Sequence, residues 1–266
     1  MDQQVYAQVM QSVRKLLDID LRPYKDEQMR RRLDSWLVRT GRPNWPDYFQ
    51  VMRTNPDELA KFRNYLTINV SAFFRDPERW QFLRSTVLPK LIADLSTLGR
   101  RTSGLRIWSA GCSIGPEPYS LSMLLDEMMP GRSNYLLATD LDRGALARAQ
   151  ARGPYTPEDI QSVSSAQRAK YFDLGGPPHY VTDRLARRVT FREHNMLTDP
   201  FETGFDLVVC RNVVIYFTET AKAGLYRKFA DSLRPGGILF VGGTEIISQA
   251  RDLGLQNSGI SFYQKA

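Results

Sequence analysis

The sequence predicts an α/β fold with an all-helical N-terminal domain and a small inserted β subdomain. The first 100 of the 266 residues show helical periodicity, whereas beyond Gly104 short apolar runs alternate with helical patterns. Strands that alternate with helices are typical of a parallel sheet covered on both faces. The alternation lapses between about residues 153 and 192, where the β subdomain is expected. The expected domains are a helical domain over 1–75, a linking helix over 76–103 and an α/β domain over 104–266.

Apolar residues repeat with a helical period in the N-terminal part. In the first helix these residues are Val5, Val9, Met10, Val13, Leu16 and Leu17. A second helix begins at about Asp26, and its inner stripe comprises Met29, Leu33, Trp36 and Leu37. Two shorter helices are expected at 47–52 and 56–66, and a longer one at 77–98. Because proline disrupts a helix interior, Pro89 is expected to break or kink the last helix.

The α/β part contains four core strands by the same criteria. We place the strands at 105–110, 135–139, 205–210 and 238–241, with a terminal strand pair within 252–265. The intervening helices are expected at 117–129, 142–152 and 219–233. Within the insertion, the pattern indicates a short helix at 165–172 and strands at 179–181 and 188–191.

Composition excludes several classes of protein. Two cysteines, Cys112 and Cys210, are too few for a disulfide framework and form no familiar zinc-binding spacing with the two histidines, so we expect reduced thiols and no metal. The first residues do not resemble a signal peptide, and no apolar run reaches the ~20 residues of a membrane helix. The net charge is +7, and the first 100 residues hold 17 basic against 12 acidic residues. This surplus indicates an acidic partner, which could be nucleic acid, a membrane surface or a protein.

Three features at predicted strand ends could carry chemistry. A glycine loop, Gly111 to Gly115, follows the first strand and could allow a ligand to approach the backbone, although a plain βα turn explains it equally well. Asp140 ends the second strand and could accept hydrogen bonds from ribose hydroxyls; the alternative is a helix N-cap, for which Asp142 is better placed. The strand that ends at Cys210 is followed by the polar pair Arg211 and Asn212, which could face the ligand crevice. The alternative is an ordinary strand end with a core tyrosine nearby. Because the sequence lacks a G-x-G-x-x-G loop, a mononucleoside ligand such as S-adenosylmethionine is favoured over a dinucleotide.

Four segments together resemble the chemotaxis receptor methyltransferases of the CheR family. They are residues 69–76 (NVSAFFRD), 107–120 (IWSAGCSIGPEPYS), 138–140 (ATD) and 210–217 (CRNVVIYF). Their order and spacing match the family, and the resemblance covers nearly the whole chain. It implies a Rossmann-like sheet of an S-adenosylmethionine-dependent methyltransferase, a helical N-terminal domain and a small inserted β subdomain. The sequence departs from the common pattern at Ser71, Ile114 and Pro116.

The resemblance also implies roles for individual residues. The implied cofactor-binding residues are Asn69, Ser71, Arg75, Gly111, Glu117, Asp140, Asn195, Met196, Asn212 and Val213. Among them, Glu117 matches a contact to the methionine ammonium group and Asp140 the contact to the ribose. Arg75 and Tyr216 match the residues next to the reacting methyl group and are the implied catalytic pair. Alternatively, Arg75 forms a surface ion pair with Asp76 or Glu78, and Tyr216 serves in packing.

The implied reaction transfers a methyl group from S-adenosylmethionine to glutamate side chains on the cytoplasmic helices of a chemoreceptor. Its products are a glutamyl methyl ester and S-adenosylhomocysteine. Arg30, Arg31 and Arg32 on the second helix could dock these acidic helices, or form an ordinary solvated face. The insertion could hold a receptor C-terminal peptide by strand addition, a point that the sequence leaves open. We expect a cytoplasmic monomer that binds no nucleic acid and does not insert into a membrane.

Two other functions would also explain features of the sequence. A nucleic-acid methyltransferase would account for the basic charge, but the segment after the central strand reads Arg211-Asn212-Val213-Val214 rather than the [N/D]-P-P-[Y/F] of amine methylation. Cytosine C5 chemistry requires a reactive cysteine, whereas Cys210 follows Val209 within an apolar strand. A module that binds S-adenosylmethionine without catalysis is the third alternative.

Overall fold

The computed structural model describes residues 1–67, 69, 71–100 and 102–266. Val70, which belongs to the segment 69–76, therefore lies outside the described residues. The chain divides into two compact units: the first comprises 1–68 and 215–224, and the second comprises 69–214 and 225–266. No helix among the described residues is both long and apolar enough to cross a membrane.

The first unit is helical, as the sequence predicts. Its helices are α1 (Gln3–Leu17), α2 (Asp26–Thr40), α3 (Trp45–Thr54) and α4 (Pro56–Leu66). The side chain of Asp2 caps α1 by accepting the backbone N–H of Val5, which satisfies a group that the helix leaves unpaired. Trp45, Tyr48 and Phe62 are buried and in ring-to-ring contact, so α3 and α4 pack through aromatic side chains.

A later stretch of the chain joins this unit. Residues 215–224 add the end of a short 3-10 helix (Val214–Tyr216) and the beginning of a helix described below. The backbone carbonyl of Tyr216 accepts the N–H of Lys25, and the ring of Phe217 lies 4.8 Å from that of Tyr24.

The second unit begins earlier than the sequence indicated. The predicted domain boundary follows residue 75, whereas the units divide after residue 68. Phe73 and Phe74 explain the difference, because both are buried in the core of the second unit. Phe73 donates its N–H to the carbonyl of Asp159, and Phe74 donates its N–H to the hydroxyl of Ser120.

The expected linking helix is divided into three parts. Helix α5 (Pro77–Phe82) continues through a π-helical turn (Leu83–Val87) into α6 (Leu88–Thr97). Pro89 lies in the first turn of α6, where its missing N–H is tolerated. The predicted disruption therefore takes the form of a wide turn immediately before the proline.

The second unit contains a sheet of seven strands in the order β3-β2-β1-β4-β5-β7-β6. The strands are β1 (Arg106–Ala110), β2 (Tyr135–Asp140), β3 (Val189–Glu193), β4 (Phe205–Cys210), β5 (Leu233–Val241), β6 (Leu255–Gly259) and β7 (Phe262–Lys265). The first five strands run parallel, whereas β7 is antiparallel to both β5 and β6. This arrangement confirms the predicted Rossmann-like α/β sheet and the terminal strand pair.

Five helices accompany the strands. They are α7 (Pro116–Met128), α8 (Arg143–Gln150), α9 (Ser165–Tyr171), α10 (Asp183–Ala186) and α11 (Glu219–Ser232), of which α11 begins in the first unit. The predicted role of Asp142 as an N-cap is confirmed, since its side chain accepts the N–H groups of Gly144 and Ala145.

The insertion differs from the predicted β subdomain. The strand expected at 188–191 belongs to the main sheet, where β3 pairs with β2, so its assignment to the insertion is wrong. Residues 153–188 are all described, and they contain two helices and two isolated bridges, Tyr155–His179 and Phe172–Val181, but no regular strand. Apolar residues such as Tyr155 and Val181 are fully buried, so the segment is held by the core rather than by a sheet of its own.

Candidate active site

The carboxyl ends of β1, β2 and β4 place half of the implied cofactor-binding residues at one edge of the sheet. The strands end at Ala110, Asp140 and Cys210, and they are followed by the loop at Gly111, by Asp142 and by Arg211. Ligands of open α/β sheets bind at this edge, because the loops there diverge to leave a crevice. All these residues belong to the second unit.

Gly111 allows the first loop to turn against the neighbouring strand. Its φ of +80° is one that L-residues rarely adopt, and a Cβ there would lie 2.6 Å from a methyl group of Val213. The N–H groups of Gly111 and Cys112 both donate to the carbonyl of Thr139. The glycine is therefore required for the packing of Val213, so two predicted cofactor residues are in contact.

Asp140 is held in a fixed orientation at the end of β2. One carboxylate oxygen accepts the N–H of Ser113 at 2.7 Å, and the other accepts the N–H of Asp142 at 2.9 Å. Burial raises the pKa of Asp140, although these backbone donors oppose the shift. Because each carboxylate oxygen has two lone pairs, both oxygens can accept a further hydrogen bond, such as those of two ribose hydroxyls.

Glu117 lies in the first turn of α7 with its carboxylate almost enclosed. One oxygen accepts the hydroxyl of Ser109 at 2.8 Å, and the other lies 3.8 Å from a guanidinium nitrogen of Arg211. Burial raises the pKa of Glu117, whereas Arg211, Ser109 and Arg75 lower it. Pro116 occupies an N-terminal position of α7 that tolerates proline, so this departure from the family pattern leaves Glu117 on the helix.

Asn69 connects the start of the second unit to the same loops. Its amide nitrogen donates to Asp142 at 2.6 Å, and its amide oxygen accepts the hydroxyl of Ser113 at 2.9 Å. Ser113 has a positive φ of 50°, a conformation that costs energy in a residue with a Cβ. Asn69 thus stabilises the loop whose N–H holds Asp140. Ser71, two residues after Asn69, is half-buried.

The turn after β3 places two further predicted residues next to Asp140. The N–H of His194 donates to the carbonyl of Asp140, and Asn195 and Met196 follow directly. The side-chain oxygen of Asn195 accepts the N–H of Leu197, while Lys228 donates to the carbonyl of Met196 at 2.7 Å. This turn is therefore fixed by hydrogen bonds from both its own backbone and α11.

Arg75 and Asn212 line one cavity of about 480 Å³. The described lining residues are Arg75, Asp76, Pro77, Glu78, Arg79, Asn212, Gly243 and Thr244. Phe74 and Asp76 on either side of Arg75 have positive φ values of 51° and 60°, as does Asn212 at 59°. Non-glycine residues with this conformation cluster at functional sites, where the surrounding structure maintains the strain.

Arg211, which the sequence marks only as a polar residue at a strand end, maintains that conformation. Its buried guanidinium donates to Asp76 at 2.6 Å and to the carbonyl of Arg75 at 2.9 Å. The guanidinium carbon also lies 4.7 Å from the centre of the Phe240 ring. Arg211 therefore connects the strand end to both Arg75 and Glu117. Its place directly after an apolar strand marks Arg211 in the sequence, but its partners Asp76 and Glu117 have no local signal there.

Glu245 belongs to the same site, although no pattern in the sequence selects it. Its carboxylate is buried after β5 and accepts the N–H of Asn212 at 3.1 Å and that of Gly242 at 2.5 Å. A lone acid in a glycine-rich turn gives little indication of such a role.

The remaining predicted residues belong to the first unit. Tyr216 is half-buried in the 3-10 helix, and its proximity to a methyl group stays a prediction. Arg31 is exposed, with Glu27 at 3.6 Å. The other two arginines of the proposed docking face are partly buried: Arg30 lies 4.0 Å from the centre of the Tyr6 ring, and Arg32 donates to the carbonyl of Tyr65.

Comparison with known proteins accounts for both units. Residues 4–67 match the family described as "CheR methyltransferase, all-alpha domain", and residues 69–260 match "CheR methyltransferase, SAM binding domain". The chain belongs to the CheR methyltransferase family. It is thus an S-adenosylmethionine-dependent methyltransferase with S-adenosylmethionine as its cofactor. The division between the two matches falls where the two compact units divide.

Chemotaxis methyltransferases are among the relatives of this CheR-family chain. It is 40% identical to the "Chemotaxis protein methyltransferase" of Listeria monocytogenes over 260 residues, which cover 98% of this chain and 97% of the relative. It is 35% identical to "Chemotaxis protein methyltransferase 1" of Pseudomonas aeruginosa, covering 83% and 82% of the two chains. The Escherichia coli "Chemotaxis protein methyltransferase" is 32% identical, with coverage of 91% and 84%.

The residues at the strand ends fit S-adenosylmethionine chemically. Its ribose hydroxyls are donors that suit the two fixed oxygens of Asp140, and its ammonium group suits the buried carboxylate of Glu117. Burial raises the pKa of Glu117, and a cationic ligand would stabilise its ionised form. The burial and the raised pKa of Glu117 therefore both agree with this role.

The Glu117→Gln variant should separate cofactor binding from stability. The variant lacks the carboxylate that would pair with the ammonium group of the ligand. Its affinity for S-adenosylhomocysteine should therefore fall about tenfold, which corresponds to roughly one charge-assisted hydrogen bond. The ligand-free protein should become more stable at neutral pH, because burial of the Glu117 carboxylate outweighs its interactions with Arg211, Ser109 and Arg75, and Arg211 keeps Asp76 as a partner. Calorimetric titration and urea unfolding would measure the two effects.

The stability gain should depend on pH in a defined direction. Because the pKa of Glu117 is raised in the folded state, the energetic cost of its ionisation increases as the pH rises through the folded pKa. The difference between wild type and variant should therefore disappear as the pH falls below the ordinary glutamate pKa. A gain that persists in acid would contradict this origin.

Proposed function

We propose that this protein methylates glutamate side chains of a cytoplasmic chemoreceptor domain, forming glutamyl methyl esters and S-adenosylhomocysteine. The observation that carries this proposal is the cavity that Arg75 and Asn212 line. Arg75 places a cation there, at the edge of the sheet where the proposed cofactor residues lie. The names of the relatives support the substrate, since they are chemotaxis methyltransferases. A cytoplasmic location follows from that substrate.

The chemistry of the acceptor agrees with the cavity. A glutamate side chain has an ordinary pKa near ~4.3, so it is already an anion at neutral pH and needs no general base. None of the described residues that line the cavity is a histidine. Arg75 can hold the incoming carboxylate by one or two hydrogen bonds, which reduces the freedom that the acceptor must lose before reaction.

S-adenosylmethionine, when bound, supplies a methyl group on a positively charged sulfur. Asp140 and Glu117 bind and orient the ribose and the ammonium group. Arg211 fixes the backbone of Arg75 so that the guanidinium is positioned before the acceptor arrives. Catalysis is then mainly the alignment of two reactants in a site that excludes water.

A single labelling experiment tests the proposal. Tritiated S-adenosylmethionine is incubated with the protein and with either chemoreceptor cytoplasmic fragments or nucleic acid. We expect label on the receptor fragment in a form that alkali releases as methanol, because esters hydrolyse in base whereas N-methyl groups do not. Label in nucleic acid, or no transfer despite binding of S-adenosylhomocysteine, would contradict the proposal.

A cysteine-dependent nucleic-acid methyltransferase receives no support from the thiols. Cys112 and Cys210 are free and buried, and burial raises the pKa of both thiols well above the ordinary value. A nucleophilic cysteine requires the opposite shift.

The docking role of α2 is best tested at Arg31. Reversing all three arginines would also break the contacts of Arg30 with Tyr6 and of Arg32 with Tyr65, so a fold defect would confuse the result. Arg31→Glu should raise the KM for receptor fragments about threefold or more at low salt and leave kcat unchanged, because it affects encounter with an acidic partner.

Arg53→Glu provides the matched control. Arg53 is an exposed residue of α3 in the same unit, and its reversal changes the net charge equally. An equal rise of KM in both variants would show that net charge alone matters. An unchanged KM in Arg31→Glu would support the ordinary solvated face.

A further inference from the structure

A second cavity of about 400 Å³ lies at the opposite end of β2 from Asp140. Its lining comes from three segments: two residues of α7, residues 131–136, and residues 187, 188 and 190. The start and end of β2 are separated by roughly 16 Å along the strand, at about 3.3 Å per residue. The cavity is thus separate from the site where the cofactor residues lie. Its volume falls within the ~300–1,000 Å³ of small-molecule sites.

The lining of this cavity is rich in cations. It includes Arg132, Arg187 and Arg188, and none of its described lining residues is acidic. Arg188 is anchored by an ion pair of 2.7 Å with buried Asp126, whereas Arg187 lies 3.9 Å from Asp183, and both members of that pair are exposed. Three guanidinium groups around one concave surface favour a ligand with more than one negative charge.

Two buried polar groups in the lining have no partner among the described residues. The hydroxyl of Ser122 makes no hydrogen bond, although Ser122 is only 1% exposed. Ser120, two residues earlier on the same helix, donates to the carbonyl of Pro116, which is the usual way for a helical serine to be satisfied. The amide oxygen of Asn134 accepts the N–H of Leu105, but its amide nitrogen has no acceptor.

These unpaired groups can act as hydrogen-bond donors, as the arginines do. An amide nitrogen is a donor, a serine hydroxyl can donate, and guanidinium groups only donate. Buried donors without acceptors cost free energy, so an anionic ligand that accepts from them would be bound favourably. We propose that this cavity binds a phosphate ester of nucleotide size. The phosphate oxygens match the guanidinium groups in geometry, and the cavity has room for more than an inorganic ion.

Binding should be measured with ATP, pyrophosphate and adenosine, by calorimetry of the full chain in saturating S-adenosylhomocysteine. The saturating ligand keeps the probes out of the cofactor site. Sodium chloride controls of equal ionic strength account for non-specific salt effects. We expect ATP and pyrophosphate to bind, and adenosine to bind at least tenfold more weakly than ATP because it lacks the phosphates.

Arg132→Gln combined with Arg187→Gln should weaken ATP binding tenfold or more without loss of the fold, because neither residue holds a buried partner. The matched control combines Arg84→Gln with Arg251→Gln, two arginines of the same unit outside the cavity, and should bind ATP within twofold of wild type. Ser122→Ala should weaken ATP binding about threefold. S-adenosylhomocysteine affinity should be unchanged in all three variants.

The proposal is overturned if wild type binds neither phosphate probe under these conditions. It is equally overturned if adenosine binds as tightly as ATP, or if the control pair loses as much affinity as the cavity pair. These outcomes are independent of methyl transfer, so they leave the proposed glutamate methylation unaffected.

Discussion

Arg75→Ala should lower the rate of methyl transfer by about a hundredfold, while affinity for S-adenosylhomocysteine changes by less than about threefold. The reason is that Arg75 lines the cavity where the acceptor carboxylate is expected. Asp140 and Glu117 are instead the residues proposed to hold the cofactor. An interaction made with the acceptor contributes to kcat/KM without contributing to cofactor binding. Single-turnover kinetics with receptor fragments and calorimetry with S-adenosylhomocysteine would measure the two quantities.

Arg79→Ala is the matched control, because Arg79 lines the same cavity four residues further along. We expect it to retain most of the activity, since its backbone and side chain are not held by Arg211. An equal loss in both variants would indicate that the positive charge of the cavity matters rather than the position of Arg75. Full activity in Arg75→Ala would remove Arg75 from the catalytic site.

The regular elements were predictable because hydrophobic patterning determines them locally. Phe205–Cys210 is buried at every position and is an uninterrupted apolar run except at Asp206, as a central parallel strand requires. Helix α4 begins at Pro56 and ends at Leu66, as predicted, because Asn55 and Pro56 mark its start unambiguously.

Errors arose where a segment depends on distant partners. The strand at 188–191 was assigned to the insertion because it follows that segment in sequence, but its hydrogen-bonding partner is β2, about 50 residues earlier. The domain boundary was placed too late for a similar reason. Phe73 and Phe74 fall within the predicted helical domain, yet their rings pack against Tyr155 and Trp80 of the second unit.

The positions of several candidate site residues could be predicted from the sequence, but the hydrogen bonds between them could not. Asp140, Glu117 and Asn212 follow strands or begin helices, so sequence position alone places them at one edge. The hydrogen bonds that link them pass through Ser113, Glu245 and Arg211, residues whose partners lie tens of residues away. No local pattern encodes such contacts.

Arg211 is the residue whose removal should affect both stability and activity. Its side chain is 2% exposed and lies between acidic groups of two segments, Asp76 at 2.6 Å and Glu117 at 3.8 Å. Arg211→Met keeps an apolar stem against Phe240 but leaves Glu117 without its nearest cation. Breaking a buried ion pair from one side costs about 3–5 kcal/mol, and we expect a loss at the lower end because Asp76 can be hydrated. Urea unfolding at neutral pH would measure it.

A second substitution distinguishes positioning by Arg211 from a general loss of structure. The double variant Arg211→Met, Glu117→Gln no longer contains the buried Glu117 carboxylate that loses its cation, so much of the lost stability should return. Methyl transfer by the double variant should stay low even at saturating S-adenosylmethionine, because the carbonyl of Arg75 and the side chain of Asp76 still lack their donor. If transfer recovered together with stability, Arg211 would serve only to neutralise Glu117. If Arg211→Lys restored stability but not the rate, the planar guanidinium that holds two acceptors at once would be the feature that positions Arg75.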